Sequence, residues 1–191
     1  MITATKKDKQ IIINILMLAF EQNASVNYIV GTGIDRLARI TYLMDYAFEI
    51  CYRFGKALIS EDRNACALVL FPDQKKFNLT TVWLDLLLTA KVVGFGGINK
   101  VLKREKMIKC QHPAGNFFYI WFIGVRPAHQ SEGIGSKLLT EVLAMAAELA
   151  RPVYLETSTL INIPWYEKFG FEVFHKLDLG YQLFFLRKQR N

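Results

Sequence analysis

Val125-Arg126-Pro127-Ala128-His129-Gln130-Ser131-Glu132-Gly133-Ile134-Gly135-Ser136 is the stretch on which the fold class turns. The run Phe117 to Val125 leads into it and stops at Pro127. That run is almost wholly apolar and aromatic, the pattern of a central strand covered on both faces. Beyond the turn, Ile134, Leu138, Val142, Met145 and Leu149 recur at helical spacing. A strand therefore delivers the chain to the N-terminus of a helix, where unpaired backbone N–H groups and the positive dipole end attract anions, phosphate above all. Gly133 and Gly135 let the main chain approach a ligand with no Cβ in between.

The familiar glycine-rich nucleotide motifs do not fit. A GxGxxG reading of this turn needs glycine where Leu138 stands. The other two starts, at Gly31 and Gly94, meet Arg36 and Asn99 at the third position. No GxxxxGK[ST] occurs, so a Walker-type phosphate loop has no support. The pattern present is Gln130-x-x-Gly133-x-Gly135.

Downstream, Arg151-Pro152 stops the helix and Val153 to Ser158 reads as the next strand. Pro164 to Phe169 suits a short helix with Gly170 as its C-terminal cap. Phe171 to Lys176 and Tyr181 to Arg187 read as two further strands. Upstream, apolar spacing predicts a helix over about residues 6–21 and one or two more over 33–54. Ala65 to Phe71 reads as a buried strand, and Leu84 to Val93 and Ile98 to Ile108 look helical rather than extended. Strands alternating with helices, without a linker or repeat, give one α/β (α+β) domain over residues 1–191.

Composition narrows the function classes. Lys6, Lys7 and Lys9 ahead of Ile11 to Phe20 mimic a secretory signal, but Asp8 and Asn14 interrupt the pattern and no small-residue cleavage site follows. The stretch is read as a first helix packed on the core. No apolar run reaches the roughly 18 residues of a membrane span, so no membrane role is expected. Cys51, Cys66 and Cys110 are odd in number and widely separated, which suits a reducing, cytoplasmic setting. His112, His129 and His175 lack metal-ligand spacing, so no metal is expected. The net charge of +7 suits a polyanionic partner. Its densest stretch, Lys100, Lys103, Arg104, Lys106 and Lys109, reads as a solvated helix face, because no aromatics alternate with the charges as single-strand nucleic-acid binders require.

The turn resembles the acyl-CoA signature of the GNAT acetyltransferases: Gln or Arg, two residues, Gly, one residue, then Gly or Ala, between a strand and a helix. The likeness continues through Tyr154-Leu155-Glu156-Thr157-Ser158 and Asn162-Ile163-Pro164-Trp165-Tyr166-Glu167-Lys168-Phe169-Gly170-Phe171, and spans about residues 117–174. The order of these motifs is most like that of puromycin N-acetyltransferase and its relatives. The resemblance implies a GNAT-like fold, with a mixed central sheet flanked by helices and two parallel strands splayed at a cofactor cleft. It implies acetyl-CoA as cosubstrate. Ile123, Gly124 and Val125 would lie along the pantetheine arm, and the amides of Gln130, Ser131, Glu132, Gly133, Ile134, Gly135 and Ser136 would hold the diphosphate. Asn162 would bond the cofactor arm, and Tyr166 would protonate the departing thiolate. Many relatives carry Gly and a basic residue where this chain has Ser131 and Glu132; Glu132 is expected to face solvent, with Arg126 and Lys137 as compensating cations.

The residues themselves leave alternatives beside these roles: Asn162 as a helix cap and Tyr166 as a packed aromatic. Amine acetylation needs a neutral nitrogen, hence a proton acceptor. Glu156, on the strand beside the cleft, is the first choice; Glu172, His175 or a water chain follow. Tyr28, Tyr42 and Asp45 are candidate walls of the acceptor site, Asp45 facing a cationic amine. The expected reaction is acetyl transfer to a primary amine of a small molecule by direct attack in a ternary complex. Acetylation of a protein lysine or N-terminal amine, or a silent acyl-CoA sensor, are the competing readings.

Overall fold

The structure, a computed structural model, describes residues 1–76 and 78–190. Seven strands form one mixed sheet: β1 (Ile2–Thr3), β2 (Gly55–Ile59), β3 (Ala65–Leu70), β4 (Phe118–Val125), β5 (Val153–Thr157), β6 (Glu172–Asp178) and β7 (Gln182–Lys188), in the order β1-β2-β3-β4-β5-β7-β6. Every neighbouring pair is antiparallel except β4 and β5. The helices are α1 (Lys9–Phe20), α2 (Ala24–Val30), α3 (Arg36–Phe54), α4 (Leu79–Leu88), α5 (Ile98–Lys109), α6 (Ile134–Glu148) and α7 (Ile163–Lys168).

Two apolar layers hold the sheet. On one face, Ile12 and Leu16 of α1 and Met44 and Phe48 of α3 pack on Leu68 and Phe122. On the other, Leu138, Leu139 and Val142 of α6 and Tyr166 of α7 pack on Val69, Phe118, Ile120 and Leu155. β3 is buried at all six positions because both layers cover it. The first apolar stretch of the chain is thus core: Ile12, Ile13, Ile15 and Leu16 are buried. Among the described residues no single helix is long and apolar enough to cross a membrane.

The helical reading of Leu84 to Val93 and Ile98 to Ile108 is met by α4, which begins earlier at Leu79, a π-helical turn over Thr89–Val93, and α5. β1 and β2 were not expected. β2 follows α3 with no residue between them, so Gly-Lys-Ala-Leu-Ile carries no turn signal ahead of it. The basic face of α5 also needs correction at one position. Its lysines are exposed, but Arg104 is buried and donates to the Tyr181 hydroxyl (2.9 Å) and to Ser25 Oγ (2.5 Å). A guanidinium bonded on several sides loses less on leaving water than a bare charge.

Candidate active site

The site begins where the only parallel pair among the described strands comes apart. β4 and β5 are in register only at Phe118↔Val153 and Tyr119↔Tyr154; past these residues they separate. A register shift opposite Leu68/Val69 leaves Trp121 as an extra residue in β4, a bulge that bends the strand just there. Arg126 N–H donates to the Asn64 carbonyl at 2.7 Å. Alternation along an antiparallel pair then turns Gly124 toward β3 and the peptide groups of Ile123 and Val125 toward the opening. Gly124 has its own reason to be glycine: a Cβ would stand 3.1 Å from Ala19 and 3.2 Å from Leu16 of α1.

At the far end of β4 the chain makes the turn into α6. Among the described residues, the amides of Ser131, Glu132, Gly133, Ile134, Gly135 and Ser136 have no acceptor, and the first amide bonded within the helix start is Lys137, to the Gly133 carbonyl. Gly133 has φ +81°, and Ser131 φ +68°, both in the left-handed region. Space around Gly133 is open, so glycine stands there for its backbone conformation. Gly135 differs: a Cβ would lie 3.1 Å from Val125 Cγ2 and 3.8 Å from Trp165, which packs α6 close to β4 and α7. Trp165 also donates to Ser136 Oγ at 3.0 Å. Gln130 turns its side-chain amide back to the Val125 carbonyl at 3.3 Å and braces the turn. Glu132 lies 3.2 Å from His129 and is about half exposed, so its carboxylate is turned to solvent and a histidine. Arg126 is held by Asn14 at 3.0 Å, while Lys137 lines a surface cavity of about 380 Å³ beside the helix mouth with Glu132 and Glu141.

Across the opening, Glu156 of β5 is nearly buried, its side chain 10% exposed. One carboxylate oxygen lies 2.8 Å from His112 Nε2, and the other accepts a short hydrogen bond from the Tyr119 hydroxyl. His112 comes from the loop after α5 and sits against Phe117 and Tyr119, ring centroids 5.3 and 5.0 Å away. Burial first, and then the Glu156 carboxylate, push the Tyr119 hydroxyl well above the ordinary phenol range, so it stays a donor. Glu156 was a candidate from its place on β5, but its partners were not, since 37 and 44 residues separate Tyr119 and His112 from it and no linear spacing joins them.

Tyr166 is buried against Trp165 and Phe171, and its hydroxyl has no hydrogen-bond partner among the described residues. Burial alone raises its pKa, so the proton is retained at working pH. Asn162 occupies the cap position of α7, yet its side chain makes no capping bond. Other expectations require correction. Asp45 does not face the cleft: it pairs with Lys9 at 2.8 Å. Glu172 is bonded to Arg187 at 2.7 Å, and His175 Nε2 is buried without a partner beside Phe185. Tyr42 is exposed under Lys91, whereas Tyr28 packs on Tyr181 near the end of β5.

Free amides at a helix mouth suit a diphosphate, and an unpaired strand edge suits an amide-bearing arm. Residues 42–171 match the profile of the Acetyltransferase (GNAT) family, and the chain belongs to that family, whose members transfer acetyl groups from acetyl-CoA. A Corynebacterium glutamicum protein described as histone acetyltransferase HPA2 and related acetyltransferase is similar in fold, with TM-score 0.71 and 18% identity over 100% of this chain and 95% of its own. Arylalkylamine N-acetyltransferase 2 from Aedes aegypti gives 0.65 and 16% over 100% and 98%. The C-terminal condensation domain of Ebony, in complex with β-alanyl-dopamine, gives 0.67 and 10% over 98% and 96%.

Proposed function

We propose that the chain, acting as one domain, moves an acetyl group from acetyl-CoA to a primary amine of a small molecule, by direct attack in a ternary complex. The observation that carries this is the row of six unpaired amides, Ser131 to Ser136, at the end of a strand whose Ile123 and Val125 peptide groups face an opening. In this reading the amides hold the diphosphate, β4 pairs with the pantetheine arm, Asn162 bonds that arm, and Tyr166 gives its proton to the leaving sulfur. The Glu156 cluster takes the acceptor's proton.

The small-molecule reading rests on what covers the end of β5. Ser25 N–H donates to Ser158 Oγ and Asn23 to Thr159 Oγ1, both at 3.3 Å, which ties the start of α2 across the strand. Arg104 joins α5 to Ser25 and Tyr181 at the same place. A site covered in this way favours a compact amine over an extended peptide, which needs an open groove. Fold and cosubstrate outlast acceptor identity, so the acceptor is read from the site and not from the likeness to puromycin N-acetyltransferase. The free cysteines Cys51, Cys66 and Cys110 support a cytoplasmic setting.

A thiol-release screen with acetyl-CoA against small amines, aminoglycosides, aminonucleosides and a lysine peptide tests the reading. Thiol release with small amines and not with the peptide is expected. Turnover of the peptide alone would replace the small-molecule reading. Acetyl-CoA binding without turnover of any amine would leave a sensor.

A further inference from the structure

We propose that His112, through Nδ1, is the group that takes the acceptor's proton, and that Glu156 is the positioning carboxylate that fixes its tautomer. The assignment rests on the acetyltransferase reading above and names the atom within the Glu156 cluster.

An ionised carboxylate only accepts hydrogen bonds, so the 2.8 Å contact places the proton on His112 Nε2. A neutral imidazole with Nε2–H has its lone pair on Nδ1. Nδ1 has no hydrogen-bond partner among the described residues. Nor is it among the buried unpartnered side-chain atoms, which are His175 Nε2 and Gln182 Oε1, so it keeps contact with solvent. Glu156 is placed differently. Both of its oxygens are engaged, one by His112 and one by Tyr119, so an approaching ammonium must compete with two seated donors. The ring of His112 is fixed on its other sides by Phe117 and Tyr119. A carboxylate that orients an imidazole and leaves the second nitrogen free is a general device for proton acceptance.

Nδ1 takes one proton from the acceptor ammonium and later passes it to solvent. The freed nitrogen lone pair forms the C–N bond as the C–S bond breaks. The sulfur takes the Tyr166 hydroxyl proton, and the proton then shed by the amide nitrogen restores Tyr166.

The test compares His112→Ala, His112→Gln and Glu156→Gln in thiol release, with 2-phenylethylamine, kanamycin and puromycin offered in turn, alongside 15N NMR of the His112 ring in the protein alone. The ring is also recorded in Glu156→Ala, which removes the acceptor of the Nε2 contact; expected is the Nε2–H tautomer in the wild type and a tautomer mixture in Glu156→Ala. Both His112 variants should lose about 100-fold in kcat with KM for acetyl-CoA changed less than about twofold. Added imidazole should restore about tenfold of that in His112→Ala, and Glu156→Gln should lose less than either. If His112→Gln keeps wild-type turnover while Glu156→Gln loses about 100-fold, Glu156 is itself the base and the assignment is overturned. An Nδ1–H tautomer in the wild type overturns it too. If the wild type releases thiol with none of the three amines, the small-amine reading falls and this assignment with it, whatever the tautomer.

Discussion

Tyr166 is a phenol whose hydroxyl has no hydrogen-bond partner among the described residues, packed in the same apolar cluster as Ile134 and Leu138 at the start of α6. Tyr166→Phe keeps the packing and removes the proton, so kcat should fall about 100-fold with acetyl-CoA affinity unchanged. Stopped-flow turnover beside calorimetry separates the two; equal turnover in both proteins would remove Tyr166 from the chemistry. The turn residues make finer distinctions. Gly133→Val forces a β-branched side chain to φ +81°, and Gly135→Val drives its Cβ into Val125. Both should weaken acetyl-CoA binding in calorimetry, for different reasons. Ser131 already sits at φ +68°, so Ser131→Gly should relieve about 1 kcal/mol of strain and tighten binding; unchanged affinity would show that the turn is not strained where the cofactor meets it. Gly133, Gly135, Gln130, Asn162 and Tyr166 could be nominated from the sequence because the family resemblance places them at fixed offsets in two short stretches. His112 and Tyr119 were not, because only the closing of β4 against β5 and the return of the loop after α5 bring them to Glu156.

At the scale of elements, α1, α3, β3, β4, α6, β5, α7, β6 and β7 announce themselves by apolar period and by Pro or Gly at their ends. β2 does not, since its only punctuation is Gly55, the residue that joins α3 to the sheet. The structure shows why glycine stands there. A Cβ on Gly55 would fall 2.0 Å from the Val69 carbonyl oxygen and 2.9 Å from Leu70 Cα, both main-chain atoms of β3 that cannot swing aside. The φ of −172° at Gly55 is not in the left-handed region, and the constraint is the approach of β3. Gly55→Ala should therefore push α3 and β2 away from β3 and cost about 1–3 kcal/mol, a fall of several degrees in Tm for a chain of this size. A thermal scan showing no loss would mean that the junction moves freely, and that α3 is not pinned to the sheet.

For the molecule as a whole, the carboxylates set the acid limit. Asp73 is held low chiefly by the side chain of Arg151, which grips both its oxygens at 2.6 and 2.9 Å and ties the loop after β3 to the start of β5. Asp62 is held low chiefly by Ser60, and Asp8 by the Thr5 backbone and hydroxyl. For Glu49 burial works upward, but Lys9 and Arg53 outweigh it and the net direction is down. A carboxyl depressed in the folded state binds its proton more readily when unfolded. Its stabilisation is complete above the ordinary value of about 4 and is lost as pH falls through the depressed folded value. With a formal net charge of +7 at neutrality, neutralising these groups also leaves the lysines and arginines unopposed. Tm should accordingly be insensitive to these groups between neutrality and about pH 5, and should fall steeply below about pH 4. Asp73→Asn isolates one contribution. It should cost up to about 1 kcal/mol at pH 7, because the pair is at the surface, and the gap from wild type should close as pH drops through the depressed range of Asp73. Urea titrations of both proteins from neutral to acid pH measure that gap directly. A gap that stays constant across the series would mean that Arg151 holds the loop by packing over Phe71, 4.7 Å from its guanidinium carbon, and not by its charge.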